Sequence, residues 1–281
     1  MLIKFFGTAA AEGIPALFCE CDSCEEARKK GGKYIRTRSQ SLIDNKILID
    51  LPADTYHHVI SHNLPLHKIY SLLITHHHSD HYYPTELYNR RKGFSYLKDD
   101  RAFKIFAVKS VIEYTKSQCD EKLINEMLEN KELELNEIEV FKTFETDGYK
   151  ITPLKAVHGT TEPVIYLITK DNKTILYAHD THYFDESVWE YLKENNVFLN
   201  LVSLDCTQAN DSEMRYIGHM NLNDNIKVKN RLLEMKAADE NTIFVCNHFS
   251  HNGKDVSYGT FEAIAEENGF LTAYDGLELE F

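Results

Sequence analysis

The chain has 281 residues, of which 43% are hydrophobic and 11% aromatic, and its formal net charge at pH 7 is −13. This composition is typical of a globular protein with a sizeable core and excludes a disordered chain. The acidic excess argues against a broad basic surface for nucleic acid, because phosphate binding relies on lysine and arginine. A bound cation could still reverse the charge of a local pocket.

The sequence predicts neither a membrane span nor a secretion signal. No apolar run approaches the roughly 20 residues needed to cross a bilayer. The first fifteen residues, MLIKFFGTAAAEGIP, are interrupted by lysine, glutamate and glycine, so they predict a first strand rather than a signal peptide. We therefore expect a cytoplasmic protein without a membrane partner.

Short apolar segments bounded by turn residues predict strands along most of the chain. In order they are LIKFFGT, SLIDNKILID, IYSLLIT, FKIFAV, EIEVFKTF, YKITPLKAV, VIYLIT, KTILYA, FLNLVSL, TIFVC and LTAYDGLELEF. Tight turns are predicted at residues 44–46 (DNK) and 170–173 (KDNK). Helical patterns fall between the strands, at residues 54–62, 111–130, 185–195, 223–238 and 258–268, the last closing at Gly269.

This order of elements predicts an α/β protein with mixed sheets covered by helices. No linker, low-complexity tract or internal repeat interrupts the sequence, so we expect one domain over residues 1–281. The strongly acidic stretch 121–139 is interpreted as a solvated helix and loop face rather than a partner site.

Residues 75–81, THHHSDH, follow an apolar segment and contain the motif H-x-H-x-D-H. In an extended chain His76 and His78 share one face, whereas His77 points the opposite way. Asp80 and His81 follow where the chain must turn, so they could serve a second ion beside the first. Imidazoles and a carboxylate suit zinc, iron or manganese. The alternative is a solvated loop with incidental histidines, which this spacing disfavours.

Three cysteines, Cys19, Cys21 and Cys24, form a C-x-C-x2-C cluster. In a chain without a secretion signal, such a cluster indicates a metal site more than a disulfide framework. Three thiolates suit a tetrahedral structural zinc that needs one more ligand. The alternative is three thiols without a metal. The remaining cysteines are scattered, at Cys119, Cys206 and Cys246.

The H-x-H-x-D-H motif resembles the signature of the metallo-β-lactamase superfamily. That resemblance implies a four-layer αββα sandwich of two mixed β-sheets flanked by helices. It also implies further ligands at the ends of later strands, at positions that match His158, Asp180 and His248. His76, His78 and His158 would then hold one ion, Asp80, His81 and His248 the other, and Asp180 would bridge them. His179, beside Asp180, alternates to the opposite face and is interpreted as structural.

The cysteine stretch is similar to the N-terminal region of PhnP-like cyclic phosphodiesterases. The resemblance implies a structural zinc held by the three cysteines and completed by His251, three residues after His248. The start GTAAAEGIP resembles that group's GTG…GxP pattern, with Ala9 in place of the second glycine. GHMNLN matches a segment in which a histidine, here His219, faces the substrate phosphate. Residues 82–136 match poorly and border the active site in this fold, which leaves the substrate open.

The resemblance implies a metal-dependent phosphodiesterase that hydrolyses a small, cyclic or linear, phosphodiester. Two divalent ions, zinc or manganese, would share and activate a hydroxide. Asp80, Asp180 and His219 are the predicted catalytic residues; His219 would contact phosphate or protonate the leaving alkoxide, unless it is a solvent-facing turn residue. Asp205 is interpreted either as a partner of a metal-bound histidine or as a strand-end cap.

Three alternatives stay open at this point. A transfer-RNA 3′-processing endonuclease shares the fold, but the acidity of the chain makes nucleic acid an unexpected partner. A lactone or thioester hydrolase would use the same hydroxide on acyl carbon. A metal-binding module without turnover is the non-enzyme alternative. Whether the chain forms a homodimer is also open.

Overall fold

The computed structural model describes residues 1–213 and 217–281. In chain order its strands are β1 (Leu2–Gly7), β2 (Gln40–Ile43), β3 (Ile47–Ile49), β4 (Ser71–Leu73), β5 (Phe103–Ala107), β6 (Leu133–Glu137), β7 (Phe144–Thr146), β8 (Tyr149–Lys155), β9 (Val164–Lys170), β10 (Lys173–Ala178), β11 (Leu201–Asp205), β12 (Ile243–Asn247), β13 (Leu271–Thr272) and β14 (Glu278–Glu280). The α-helices are α1 (Asp22–Lys30), α2 (Thr55–Ser61), α3 (Lys109–Gln118), α4 (Glu121–Glu129), α5 (Glu186–Glu194), α6 (Leu222–Glu234) and α7 (Tyr258–Glu267). Short 3-10 helices lie at Gly32–Tyr34, Leu66–Lys68 and Pro84–Arg90.

The described strands form two seven-stranded mixed sheets; β1 to β6 and the last strand, β14, form the first, and β7 to β13 form the second. The first sheet has the order β14-β1-β2-β3-β4-β5-β6, and the second has the order β13-β12-β11-β10-β9-β8-β7. In the first sheet β3 to β6 run parallel, whereas β1 and β2 pair antiparallel with their neighbours. In the second sheet β10 to β13 run parallel.

Strand β10 shows why the sheets stack between helices, because both of its faces are apolar. Ile175 and Tyr177 belong to the core shared with the first sheet, and Leu176 and Ala178 belong to the core shared with α5, α6 and α7. Successive side chains of a strand point to opposite faces, so an uninterrupted apolar strand must be covered on both sides. The predicted arrangement of two mixed sheets between helices is therefore confirmed.

Both predicted tight turns are confirmed. Asp44 and Asn45 have φ values of 47° and 55°, and Asp171 and Asn172 have values of 49° and 62°. Two consecutive residues with positive φ define the turn type that matches the twist of paired strands, and Asn and Asp tolerate that conformation.

Three predicted elements differ from the structure. The single strand predicted at LTAYDGLELEF is two strands, β13 in the second sheet and β14 in the first. The single helix predicted over 111–130 is two helices, because Asp120 leaves the helical conformation and its side chain caps α4 by accepting the Leu123 amide. The strand predicted at EIEVFKTF is wrong, since β6 ends at Glu137 and β7 begins at Phe144. The acidic stretch 121–139 accordingly contains a strand whose Leu133 is buried, not only a solvated helix and loop face.

The loops that follow β4, β8, β10, β11 and β12 carry most of the predicted site residues. Because β10, β11 and β12 are parallel, their carboxyl ends meet at one edge of the second sheet. A parallel bridge between Ala9 and Phe249 joins the loop after β1 to the loop after β12 at this edge. Within the described residues, no helix is both long enough and apolar enough to cross a bilayer.

Candidate metal centres

The structure brings the predicted ligands of the first ion together. Ligand atoms of His76, His78, His158 and Asp180 all lie within 4.8 Å of one another. Nε2 of His158 is 3.1 Å from Nδ1 of His78, and Nε2 of His76 is 3.0 Å from Oδ2 of Asp180. The rings of His76 and His78 are 4.6 Å apart, as their shared face predicts.

The predicted ligands of the second ion form an adjacent group. Ligand atoms of Asp80, His81, Asp180 and His248 also lie within 4.8 Å of one another, and all four residues are buried. Nε2 of His81 is 3.1 Å from Nε2 of His248 and 3.2 Å from Oδ2 of Asp180. Asp180 therefore belongs to both groups, which is the position that a bridging ligand requires.

These contacts fit cations better than hydrogen bonds. Around one tetrahedral zinc with Zn–N distances near 2.0–2.1 Å, two ligand nitrogens lie roughly 3.3 Å apart, close to the nitrogen–nitrogen distances here. Nε2 of His76 and Oδ1 of Asp180 are buried and make no hydrogen bond with the described residues. Buried polar atoms rarely stay unsatisfied, so both atoms are suited to a bound ion.

The protonation of the cluster also suits cations. Burial lowers the pKa of His76, His78 and His158, which favours the neutral imidazole that a metal needs. Burial alone would raise the pKa of Asp180, but the surrounding imidazoles, foremost that of His248, outweigh it and hold the pKa well below its usual value. Asp180 is therefore a carboxylate.

Asp50 at the end of β3 is a site residue that the sequence analysis missed. Its Oδ2 lies 2.7 Å from Nδ1 of His81, and Oδ1 accepts the amide of Thr75 at 2.9 Å. Burial would lower the pKa of His81, but Asp50 and Asp80 outweigh it and raise the pKa well above the usual value. A carboxylate on the second ring nitrogen fixes the tautomer and orientation of a metal-bound histidine. The sequence feature that could have identified Asp50 is ILID, an apolar strand followed by a carboxylate.

Two further groups orient the ligand histidines from behind. Oγ1 of Thr207 lies 2.9 Å from Nδ1 of His248, and the carbonyl oxygen of Gly218 lies 3.2 Å from Nδ1 of His158. Gly218 has a φ of 105°, and a Cβ there would meet the His158 ring at 3.1 Å, so a glycine is required at this approach. Gly218 opens the GHMNLN segment, but neither its role nor that of Thr207 was predicted from the sequence.

Three residues of the cluster adopt a left-handed backbone conformation. Asp50, Asp180 and His248 have φ values of 66°, 56° and 60°. Non-glycine residues in this region are uncommon and concentrate at functional sites, where the surrounding structure holds them. Asp50 and His248 directly follow β3 and β12, and Asp180 is the second residue after β10.

His219 lies beside the bridging carboxylate. Its Nδ1 is 3.0 Å from Oδ2 of Asp205, 3.1 Å from Oδ1 of Asp180 and 3.1 Å from Oγ1 of Thr207. Burial would lower its pKa, but Asp205 and Asp180 outweigh it and raise the pKa to about 9. His219 is therefore cationic at neutral pH, and it is not the solvent-facing turn residue of the alternative interpretation.

Of the two interpretations of Asp205, the structure supports the strand-end cap, because the imidazole that it contacts, that of His219, is not one of the predicted metal ligands. Asp205 faces His219, and its Oδ1 accepts the amides of Thr207 and Met220 at 2.9 and 3.1 Å. Nδ1 of His248 is 3.7 Å from Oδ2 of Asp205, beyond hydrogen-bond reach. Asp180, Asp205, His219 and His248 form a further group of possible ligands whose atoms lie within 4.8 Å.

The three cysteines and His251 form a separate group at the protein surface. Their ligand atoms lie within 4.8 Å, with Nδ1 of His251 at 3.4 Å from Sγ of Cys19 and 3.6 Å from Sγ of Cys21. The amide of Ala16 donates to Sγ of Cys24 at 3.3 Å. Four such ligands fit a closed tetrahedral zinc site. The loop after β12 contributes His248 to one centre and His251 to the other.

Two neighbouring histidines lie outside these groups. His77 contacts Oγ1 of Thr160 at 3.3 Å and packs on Tyr114, with ring centres 5.1 Å apart. His179 is buried, and its Nε2 lies 2.8 Å from Oγ of Ser203. Both histidines thus have structural partners.

A cavity of about 200 Å³ opens onto the histidine–aspartate groups and His219, and Ala10, Ala11, Glu12 and Ser250 form part of its wall. A larger, mostly apolar cavity of about 420 Å³ lies between α2 and the segment 86–97. None of the predicted ligands lines the larger cavity, so volume alone does not identify the site.

Comparison with known proteins places this geometry in a family. Residues 45–238 match the family model described as "Beta-lactamase superfamily domain". A search of curated proteins finds no match.

Solved structures of similar fold cover the whole chain. Zn²⁺-bound PqqB from Methylobacterium extorquens has a TM-score of 0.76 at 18% identity, and 100% of each chain is covered. A diphosphatase of the PhnP family has a TM-score of 0.71 at 20% identity, covering 100% of this chain and 96% of that one. Human tRNase Z, short form, has a TM-score of 0.62 at 14% identity, covering 100% and 99%. Because the family match spans more than half of the sequence and the fold agrees, the chain belongs to the β-lactamase superfamily and has the metallo-β-lactamase fold.

Proposed function

We propose that this protein is a metal-dependent phosphodiesterase that hydrolyses a small phosphodiester, cyclic or linear, in the cavity above the histidine–aspartate groups. The observation that carries the proposal is the position of Asp180. Its Oδ2 lies 3.0 Å from His76 and 3.2 Å from His81, and its Oδ1 lies 3.1 Å from the cationic His219. One carboxylate thus joins both ligand groups to a proton donor.

In this proposal the two groups hold zinc or manganese ions. His76, His78 and His158 would hold one ion, Asp80, His81 and His248 would hold the other, and Asp180 would be shared by both groups. Two divalent ions so held would supply positive charge for the phosphoryl oxygens and lower the pKa of a bound water. A structural zinc would occupy the site formed by Cys19, Cys21, Cys24 and His251.

His219 supplies the proton chemistry in the proposed reaction. Asp205 fixes its Nδ1, and its Nε2 has no partner among the described residues. Because the raised pKa keeps both ring nitrogens protonated at neutral pH, Nε2–H is available to a phosphoryl oxygen or to the leaving alkoxide. Asp205 in turn is held by backbone amides, so the imidazole is oriented before substrate arrives.

The structural neighbours support phosphorus as the reacting atom. Two of them are named as a diphosphatase and a tRNase Z. The described residues that line the cavity include no lysine or arginine, and the cavity measures about 200 Å³. A small substrate with one phosphoryl charge suits this cavity better than a polynucleotide, whose many phosphates require many cationic contacts.

The test is turnover of bis(p-nitrophenyl) phosphate and of cyclic nucleotides by protein loaded with Mn²⁺ or Zn²⁺. We expect turnover, and we expect His78→Ala to abolish it because the first group loses a ligand. His77→Ala is the matched control, since the neighbouring imidazole lies outside both groups. Hydrolysis of lactones or thioesters without any phosphodiester turnover would contradict the proposal and favour the acyl hydrolase.

A further inference from the structure

Glu12 lines the same cavity as the histidine–aspartate groups. Its segment is fixed by backbone hydrogen bonds on both sides. The amide of Ala10 donates to the carbonyl of Phe249 at 2.9 Å, and the amide of Ile14 donates to the carbonyl of Arg36 at 2.9 Å. The Glu12 side chain therefore projects from a rigid turn rather than from a free loop.

Only one oxygen of the Glu12 carboxylate accepts hydrogen bonds from the described residues. Its Oε1 accepts hydrogen bonds from Oγ of Ser250 at 3.2 Å and from Nδ2 of Asn252 at 3.3 Å. Its Oε2 has no partner, and no lysine or arginine pairs with Glu12, within residues 1–213 and 217–281. Glu12 and Ser250 both line the cavity, so the carboxylate belongs to the wall that a substrate would meet.

The two sides of the cavity differ in what they offer a substrate. The floor carries the ligand groups and the His219 imidazole, which together suit a phosphoryl group. The wall carries the Glu12 carboxylate between the small side chains of Ala10, Ala11 and Ser250. A carboxylate accepts hydrogen bonds and attracts cations, and it repels a second anion held nearby. The part of the substrate that lies against the wall is therefore selected by charge.

We propose that Glu12 determines specificity for phosphodiesters in which one ester arm carries an ammonium group and no second anion. This inference rests on the phosphodiesterase function proposed above, because the phosphoryl group must be bound at the floor for the arm to reach the wall. In the bound complex the ammonium donates to Oε2 of Glu12, while Ser250 and Asn252 hold Oε1. A carboxylate or a second phosphate on the same arm would face Glu12, and the described lining residues include no lysine or arginine to offset the repulsion.

A series of p-nitrophenyl phosphodiesters tests this directly. Each ester has the same leaving group, and the second arm is 2-aminoethyl, propyl or 2-carboxyethyl, which differ in charge at similar size. We expect kcat/KM to fall in that order in the wild-type protein. In Glu12→Gln the amide keeps the size and an acceptor but removes the charge. We expect the ratio of kcat/KM for the aminoethyl and carboxyethyl esters to fall about tenfold, as two partly exposed charge contacts are removed.

Glu20→Gln is the matched control, because Glu20 is an exposed glutamate of the same N-terminal segment outside the cavity. In Glu20→Gln the ratio of kcat/KM for the aminoethyl and carboxyethyl esters should equal that of the wild type. An unchanged ratio in Glu12→Gln overturns the inference, whereas turnover of the propyl ester would still support the phosphodiesterase.

Binding supplies a readout that does not need turnover. Calorimetry with metal-loaded protein compares the phosphate monoesters of ethanolamine, propanol and 3-hydroxypropionate. We expect the ethanolamine ester to bind tighter than the 3-hydroxypropionate ester, and Glu12→Gln to reduce that preference about tenfold. Equal preferences in the wild type and in Glu12→Gln would overturn the role of Glu12. No turnover of any ester would instead contradict the phosphodiesterase proposal, and the binding ratios would then decide on Glu12 alone.

Discussion

The two candidate metal centres of this chain differ in burial. In the histidine–aspartate centre, His76, His81, Asp180 and His248 are all at most 3% exposed. In the cysteine centre, Cys24 is buried, Cys21 is exposed, and the remaining ligands are partly exposed. His78 and His158 are partly exposed. A centre that keeps a face toward a cavity while most of its ligands are buried is suited to chemistry, and a closed surface centre is suited to holding a loop in place.

The two centres also differ in what stands behind their ligands. Asp50, Thr207 and the Gly218 carbonyl each contact the second nitrogen of a ligand histidine. Behind the cysteines stand single backbone amides, such as that of Ala16 on Cys24. In the first centre, the orientation of the ligand histidines is therefore the feature that the protein controls. In the second centre, it is the closing of four ligands around one site. Substitutions should therefore harm activity in one and stability in the other.

The largest effect should come from Asp180→Asn. The amide keeps the shape and tolerates the left-handed backbone, but it cannot bridge two cations as a carboxylate does. We expect kcat on bis(p-nitrophenyl) phosphate to fall about 10³-fold or more with little change in melting temperature. Asp171→Asn is the control, because Asp171 has a φ of 49° at the other end of β10. A similar loss in Asp171→Asn would mean that the backbone, not the bridge, is responsible.

Cys24→Ser tests the stabilising role assigned to the cysteine centre. We expect metal content, measured by elemental analysis, to fall from about three to about two ions per chain. We expect unfolding free energy to fall by about 4 kcal/mol when free zinc exceeds its Kd about a thousandfold. Cys119→Ser is the control for a buried thiol outside the centre. If Cys24→Ser abolished activity while stability and metal content stayed unchanged, the assigned division of roles would be wrong.

Asp50→Asn should give a smaller effect on the catalytic side. The substitution removes the carboxylate behind His81 but leaves every predicted ligand in place. We expect metal affinity or kcat/KM to fall about 10- to 100-fold, a typical effect of losing such a partner. Titration with Mn²⁺ followed by activity measures both quantities. Wild-type affinity in the variant would show that orientation from behind is unimportant here.

The smallest effect concerns His58, a buried histidine outside both centres. Burial lowers its pKa to about 3, and its ring lies between Gln40 and Thr37. The unfolded chain binds a proton near pH 6.5 and the folded chain does not, so stability is full above pH 6.5 and is lost as pH falls toward 3. Between pH 7 and pH 5 the loss is about 2 kcal/mol.

Urea unfolding at pH 7 and pH 5 checks this prediction in the wild type and in His58→Gln. The variant cannot take up that proton, so its stability difference between the two pH values should be about 2 kcal/mol smaller than in the wild type. Equal differences would show that His58 is not the group responsible. The stability effect of His58 would serve as a reference for the buried histidines of the candidate metal centre, because His58 lies outside both centres.

The fold was predictable because its signals are local. Apolar segments such as VIYLIT and KTILYA, joined by a turn with Asp171 and Asn172, define a hairpin without knowledge of the rest of the chain. The prediction failed where the signal depended on distant pairing. β6 is a strand because it pairs parallel with β5, and its sequence ELELNE alone is compatible with a helix or a loop. The helix break at Asp120 was not predicted, because the helical spacing of apolar residues continues on both sides of it.

The candidate site was predictable only in part. H-x-H-x-D-H indicated metal by its own spacing, while His158, Asp180 and His248 were assigned by family resemblance. Their metal roles stay predictions, although the geometry gathers them. Asp50, Thr207 and Glu12 were not predicted, because a carboxylate or hydroxyl acquires its role only from the residues that the fold brings to it.

The loop after β12 has a consequence for how the protein is made. His248 and His251 complete the two centres, and His251 lies 232 positions after Cys19. At about 5–20 residues per second, a ribosome needs roughly 10–50 s to travel from the first cysteines to this loop. During that time the nascent chain presents three thiols and the THHHSDH segment without their last partners. In the proposed assignment neither centre can be completed before residue 248 has been synthesised, so a chain truncated before that residue would lack a ligand in both.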